Sequence, residues 1–371
     1  MKKHIILTEL FETGGSNSHL KVLIQYFKSG SVILALADKD QLPYLQNIHS
    51  GDNLNLKILP GLHQFACLTY RLSTNIREGM LIAYSITRLL FLSIKNGFAD
   101  ITISAVAPEK HLYLFWIPFI KVTYILHTLP SGTISPFTTY TCNVRLGKQK
   151  KIIAVSDAMN KLLCKEWAID TDKQAYVVTI HNTLLHQDVG DDNVLTDANK
   201  KTVLTIGRVD ENKNPAMWLQ VAQAITATNN DVDFIWLGNG PEFEHYRNLT
   251  VNEPNITFKG LIKNPEAYLK KAAVYYQPSF NESHGIAVLE AMRNSLPCIV
   301  ANVGGLVESV TDNVNGLLAD PLNFEQNINA VRNLLSDTEK SKTYGDNSLK
   351  KYNELFAYPI FKAKMDNIYC T

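Results

Sequence analysis

Short apolar runs alternate with longer amphipathic stretches from one end of the chain to the other. In the first half, runs at 4–8, 32–36, 56–59, 101–104, 122–127, 152–155 and 176–179 predict strands. In the second half the strand runs are 202–206, 233–237, 256–258, 273–277, 298–301 and 316–318. Between them, helical spacing appears at 16–28, 78–95, 158–167, 215–226, 285–294 and 324–335. Strands that alternate with helices predict an α/β protein with parallel sheets. The runs are apolar at nearly every position, as strands are when helices cover both faces of the sheet. One stretch breaks the rhythm: residues 183–201 are polar, with four aspartates, and the run TVLTIG follows at once. The expected organisation is a first domain over 1–182, a linker over 183–201 and a second domain from 202. Two doubly wound domains facing one another would bring the C-terminal edges of both sheets to one cleft, where ligands bind in this architecture.

The chain has 371 residues, enough for two domains at roughly 150 residues each. A hydrophobic content of 46% and charged content of 19% exclude disordered, collagen-like and coiled-coil classes. A net charge of +1 offers no case for a nucleic-acid partner, but the sum hides an asymmetry. Residues 1–185 carry 19 Lys+Arg against 12 Asp+Glu, and residues 186–371 carry 17 against 23. A basic front half suits an anionic surface, phosphate or membrane, although two solvated faces of opposite sign would give the same count. Cys67, Cys142, Cys164, Cys298 and Cys370 are widely spaced and form no C-x-x-C pair, so a reducing, cytoplasmic setting is expected, without a disulfide framework or zinc site. The apolar stretches at 80–94 and 111–126 are interrupted by Arg88, and by Pro118 and Lys121. Neither reaches the roughly 20 uninterrupted apolar residues that cross a bilayer. The N-terminus lacks the apolar core and cleavage site of a signal peptide.

Two segments carry chemistry. Gly207-Arg208-Val209-Asp210-Glu211-Asn212-Lys213-Asn214 lies between a strand and a helix opening with Pro215. Its Arg208 and Lys213 sit in a loop at the sheet's C-terminal edge, where two cations suit a diphosphate. An isolated pair of this kind would also pass for ordinary surface charge. The second segment, Pro278-Ser279-Phe280-Asn281-Glu282-Ser283-His284-Gly285-Ile286-Ala287-Val288-Leu289-Glu290, has two glutamates eight positions apart around a glycine at a helix start. Free N–H groups there favour a phosphate. Eight helical residues span about 12 Å, the scale of a nucleotide-sugar, and carboxylates accept hydrogen bonds from its hydroxyls.

The runs GRVDENKN, WLGNGPE, YYQPSFNESHGIAVLEAM, SLPCIVANVGGLVESV and NGLLADP stand in one order. Together they resemble the second half of the retaining glycosyltransferases of family four, bacterial-type glycosyl transferases group 1. Gly14-Gly15, His127, AVSDAM at 154–159 and His181-Asn182 extend the likeness more weakly over the first half. The resemblance implies the GT-B fold, two Rossmann-like domains with the donor held by the second. It implies that Arg208 and Lys213 contact the donor diphosphate and that, in the E-x7-E motif, Glu282 contacts the donor sugar and Glu290 the nucleotide ribose. It places Gly15, Leu261, His284, Gly285, Ile286 and Ala287 at the donor as well, and His127 beside the transferred sugar. It also implies a last segment, 352–371, that crosses back onto the first domain, leaving 202–351 to the second.

The implied reaction is metal-independent transfer of a sugar from a nucleotide-diphospho-sugar, UDP foremost, with no further cofactor. The acceptor would be a saccharide or lipid-linked hydroxyl in polysaccharide, lipopolysaccharide or glycolipid synthesis, with peripheral contact at the inner membrane face. The sequence departs from the family pattern at Ser283 and His284, where a glycine and an aromatic are usual, and at Thr183, where a glycine is usual. Asp170-Thr171-Asp172 has a D-x-D look but sits in a polar stretch and reads as solvated. A non-catalytic nucleotide-sugar-binding partner of another transferase, or a GT-B epimerase or phosphorylase, would carry much of the same pattern.

Overall fold

The computed structural model describes residues 4–8, 15–27, 32–36, 54–58, 76–97, 99–105, 108–109, 111–130, 133–185, 200–262 and 264–370; at 16, 32–36, 54–58, 76–85 and 105 it describes the backbone alone. The chain forms two compact units, Met1–Asn182 with Lys364–Thr371, and Thr183–Ala363.

The first unit runs β1 (His4–Thr8), α1 (Gly15–Phe27), β2 (Val32–Leu36), β3 (Leu54–Ile58), α2 (Ile76–Lys95) and β4 (Asp100–Ala105). A 3-10 turn at Leu112–Trp116 leads to β5 (Val122–Leu126), α3 (Pro136–Arg145), β6 (Lys150–Ala154), α4 (Asp157–Glu166), α5 (Thr171–Gln174) and β7 (Val177–Thr179). The sheet is parallel throughout, in the order β3-β2-β1-β4-β5-β6-β7. Buried Ile5, Leu7, Ile101, Ile103, Tyr124 and Ile152 fill its core.

The second unit runs β8 (Lys201–Ile206), α6 (Pro215–Thr226), β9 (Val232–Leu237), α7 (Phe243–Leu249), β10 (Ile256–Gly260), α8 (Glu266–Leu269) and β11 (Val274–Gln277). It continues with α9 (Ile286–Arg293), β12 (Cys298–Ala301), α10 (Leu306–Ser309), β13 (Gly316–Ala319), α11 (Phe324–Ser336), α12 (Thr338–Leu355) and α13 (Tyr358–Tyr369). Its parallel sheet has the order β10-β9-β8-β11-β12-β13. Two cores explain the unbroken apolar strands. Val203, Phe234, Trp236, Val274, Tyr276 and Ile299 face one layer. Their neighbours Leu204, Ile235, Leu237, Tyr275, Cys298 and Val300 face the other. Each strand alternates its side chains between two apolar layers, so most positions along it are apolar, and the buried polar ones, such as Thr205 and Gln277, are hydrogen-bonded.

The expected strands form, with ends shifted by a residue or two. Among the described residues, seven helices have no counterpart in the predicted helical stretches, three of them ten residues or longer. One is α3, whose large side chains point outward: Thr138, Thr141 and Cys142 are buried while Phe137, Tyr140 and Val144 are exposed. Another is α12, which buries Tyr344, Gly345, Ser348 and Tyr352, a face too mixed to read as an apolar stripe. The third is α13, in the terminal segment. The boundary expected at 352 falls at Lys364 instead. Tyr352 and Phe356 are buried in the second unit's core, so the chain joins the first unit only afterwards. There the Tyr26 hydroxyl donates to Asp366 at 3.0 Å, and the hydroxyls of Tyr369 and Thr102 bond at 2.8 Å. Most of the expected linker, 186–199, together with Gly14 and Cys67, lies outside the described residues. No helix is long and apolar enough to cross a membrane among the described residues.

Candidate functional site

In a doubly wound sheet the strand order reverses at one place, and the loops leaving the two strands there diverge around a crevice. In the second unit that place lies between β8 and β11, which pair in register. The two chemistry-bearing segments are the loops that leave these two strands. Their convergence follows from topology, although they lie some 70 positions apart in sequence.

Each loop is built by local chemistry. After β8, the Asp210 carboxylate accepts from the Lys213 N–H at 3.2 Å and caps a 3-10 turn over Glu211–Lys213. Asn214 then takes a left-handed conformation, φ 55°, and its side chain caps α6 through the Met217 N–H at 3.2 Å. The two loops are tied together: the Phe280 N–H donates to the Asn212 carbonyl at 2.8 Å, and the Asn212 amide donates to the Asn281 carbonyl at 2.9 Å. Lys213 thereby lies against Glu282, and their side chains form an ion pair in which both are largely but not fully buried. The Gln277 amide donates to the same Glu282 carboxylate at 3.1 Å and to the Ser279 hydroxyl at 3.1 Å. The Tyr275 hydroxyl donates in turn to the Gln277 carbonyl oxygen at 2.7 Å. Glu282 is thus held from behind by a buried polar chain, and its carboxylate is aimed at the crevice loops.

Arg208 is exposed and pairs with Asp210 at 3.3 Å, free to swing toward an anion. Gly285 has φ 84°, a left-handed turn that glycine adopts without strain, and it opens α9 with no side-chain cap. Ile286 and Ala287 follow in the first turn, half-buried. Their N–H groups are among those that a helix start leaves without intrahelical partners. Glu290 lies farther along α9, half-buried. Burial pushes its carboxyl up to about 7, against the opposing pull of Arg293, and Glu266 raises it further. Arg293 is itself held by Glu266 at 2.8 Å and by the Leu185 carbonyl at 2.8 Å.

His284 is fully buried, its ring edge-on to Phe356 with centroids 5.2 Å apart, so its side chain lies inside the core layer. Leu261 is half-exposed in the loop after β10. The Gly304–Gly305 turn packs directly on the Glu282 backbone: the Gly305 N–H donates to the Glu282 carbonyl at 3.0 Å.

In the first unit the corresponding reversal lies between β1 and β4. Gly15, exposed, begins α1 just after β1. His127 follows β5, and its Nε2 bonds the Ser104 hydroxyl at the end of β4 at 3.0 Å. Buried His19 of α1 meets the His127 ring at 4.4 Å. Burial lowers His19 to about 4, although the Asn182 side chain opposes that shift. Burial, then His19, holds His127 well below its ordinary value. Both rings are neutral at neutral pH. Asp172 is exposed at the surface beside Lys173, as the sequence implied for the D-x-D stretch.

Sequence reasoning missed Gln277, Asp210, Asn212, His19 and Ser104. Gln277 had a signal, since it is the polar end of an otherwise apolar strand and is buried. The others act by position, which only the fold reveals.

Residues 190–351 match the family model described as glycosyl transferases group 1. The capsular polysaccharide biosynthesis glycosyltransferase CapM of Staphylococcus aureus is 23% identical over 171 residues, 45% of this chain and 45% of that protein. An uncharacterized glycosyltransferase of Methanocaldococcus jannaschii is 31% identical over 132 residues, 34% of this chain and 37% of its own length. The chain thus matches less than half the length of these curated relatives. Anabaena HepE in complex with UDP superposes with a TM-score of 0.76 at 17% identity, covering 99% of each chain. HepE has also been solved with UDP and glucose and with UDP-glucose. The α/β fold of two Rossmann-like units is the GT-B fold, shared with the HepE structure.

Proposed function

With residues 190–351 belonging to the glycosyl transferases group 1 family, we propose that the protein transfers a sugar from a nucleoside-diphosphate sugar, a UDP-sugar, to an acceptor hydroxyl. The observation that carries this reading is the Lys213–Glu282 pair at the sheet reversal, with exposed Arg208 alongside and the uncapped start of α9 following. Such a set offers cations to a diphosphate and a carboxylate to sugar hydroxyls within one pair of loops. UDP bound to HepE supports the choice of base, and CapM supports a surface saccharide as product.

In this reading the second unit holds the donor. Arg208, Lys213 and the N–H groups after Gly285 stabilise the charge that grows on the diphosphate as the bond to the sugar breaks. Glu282 orients the sugar and Glu290 takes the ribose hydroxyls. Leu261 borders the donor. The acceptor is assigned to the basic first unit, while its Gly15 and His127 are given to the donor phosphates and the transferred sugar. Transfer proceeds with retention, as in family four. The acceptor oxygen bonds the anomeric carbon on the face the diphosphate leaves, and the acceptor proton passes to a diphosphate oxygen. The cationic side chains and helix start serve where other transferases use a metal ion.

The test is direct. The wild-type protein should bind UDP by calorimetry and release UDP from UDP-glucose slowly in water and faster with an acceptor saccharide. Lys213→Ala should retain its fold by circular dichroism and lose most of this release. Tight UDP-glucose binding with no UDP release across a broad acceptor panel would instead indicate a non-catalytic binding partner.

A further inference from the structure

Helix α3 is built inside out. At spacings of three and four residues, Phe137, Tyr140 and Val144 lie on one face. That face is the outer one, with exposures of 41%, 58% and 47%. The inner face is made of Thr138, Thr141 and Cys142. A helix packed for stability alone would place these two sets the other way round. The apolar face continues onto Trp116, 38% exposed, which stacks on Tyr140 with ring centroids 5.8 Å apart. It ends at Phe119, 83% exposed and left-handed with φ 62°, a conformation that is costly for a bulky residue.

The patch is held rigidly. The Trp116 indole donates to the Thr141 hydroxyl at 3.0 Å. Arg145 lies over the Trp116 ring at 5.1 Å and donates to the Phe115 carbonyl at 3.1 Å. The Lys150 ammonium donates to the carbonyls of Ile117 and Ile120, which bracket Pro118 and Phe119. The stretch that carries the patch is basic: residues 111–156 contain five Lys+Arg and no Asp or Glu. Acidic side chains approach from outside that stretch: at the start of α3 the Glu109 carboxylate accepts from the Thr138 hydroxyl at 2.9 Å, and Asp172 of the neighbouring α5 sits beside Lys173.

We propose that this face, Trp116, Phe119, Phe137, Tyr140 and Val144 with its cationic rim, docks the protein onto an anionic lipid bilayer. Aromatic rings favour the headgroup boundary, and Lys121, Arg145 and Lys148 are placed to meet anionic headgroups. The attraction rests on the whole basic stretch, so it does not depend on the catalytic reading of the second unit.

Vesicle sedimentation tests it, with phosphatidylcholine vesicles prepared with and without phosphatidylglycerol. The wild type should bind the anionic vesicles, and binding should weaken steeply as salt rises. Brominated lipid should quench tryptophan emission, and Trp116→Phe should abolish that quenching, because Trp167, Trp218 and Trp236 are fully buried. The double variant Phe119→Asn with Tyr140→Gln should bind anionic vesicles about tenfold more weakly or worse. Asparagine tolerates the left-handed backbone, so the fold should survive. Lys148→Glu should cost about fivefold. UDP affinity, read by calorimetry, should be unchanged in all three variants. Equal binding to neutral and anionic vesicles would overturn the proposal, as would undiminished binding by the double variant. So would a wild type that self-associates in sedimentation velocity while the double variant does not, which would give the face to a second copy of the chain.

Discussion

The two glutamates of the site sit in unlike surroundings, and their substitutions should separate. Glu282 is paired with Lys213 and backed by Gln277, whereas Glu290 accepts no side-chain hydrogen bond among the described residues. Glu282→Ala should cripple sugar transfer while leaving UDP affinity nearly intact, since UDP carries no sugar. Glu290→Ala should weaken UDP itself by roughly 1.5–3 kcal/mol, the worth of hydrogen bonds to a charged acceptor. Calorimetry with UDP beside initial rates with the donor distinguishes the two, and the reverse pattern would invert the donor's orientation. Glu290 also predicts a pH dependence. Burial raises its folded value to about 7, above the ordinary carboxyl value of 4.5. The folded state therefore holds the extra proton between those values. The stability contribution is complete below about 4.5 and is lost as pH rises through about 7, roughly 1–3 kcal/mol for a half-buried group. Glu290→Gln should flatten that slope in urea titrations at pH 5 and pH 8, and a slope unchanged by the substitution would assign it to another group.

At the scale of elements, the site depends on turns that fit only one backbone shape. Gly304 has φ 50°, and a Cβ there would stand 2.1 Å from the Glu282 carbonyl oxygen. That is a clash with backbone, which cannot rotate away. Gly304→Ala should destabilise the second unit by about 2 kcal/mol or more and move Glu282. The urea midpoint and the rate of UDP release should therefore fall together. A normal midpoint with normal turnover would show that the Gly304–Gly305 turn relaxes without consequence for Glu282. The inverted α3 belongs to this scale too. The apolar positions 137, 140 and 144 have helical spacing, but pattern alone does not say which face of a helix meets the protein.

At the scale of the whole molecule, the terminal helix α13 ends as part of the first unit. Tyr369 packs against His4, Phe27 and Tyr26 and bonds Thr102. Tyr369→Ala should destabilise the first unit by about 2–4 kcal/mol through a large-to-small change at a partly buried ring. Hydrogen exchange should show faster opening of β1 and α1 while β8 to β13 keep their protection; equal loss in both units would mean that they unfold together. On the same scale, turnover should persist in excess EDTA, because Arg208, Lys213 and the α9 start are proposed to carry the diphosphate charge. Loss of activity restored by manganese or magnesium would overturn that assignment.

The sequence by itself determined the α/β class, the strands, the division near 183 and the two loops to which the proposed function gives the donor. It could do so because parallel strands covered on both faces are apolar at most positions, and because Arg208, Lys213, Glu282 and Glu290 are written into short local patterns. Tertiary structure alone decided the rest. It set Gln277 behind Glu282, His19 beside His127, His284 inside the core and the outward face of α3. Strand order brought the β8 and β11 loops together, and packing chose which face of each helix was buried. Both are outcomes of long-range contact, which local spacing along the chain does not encode.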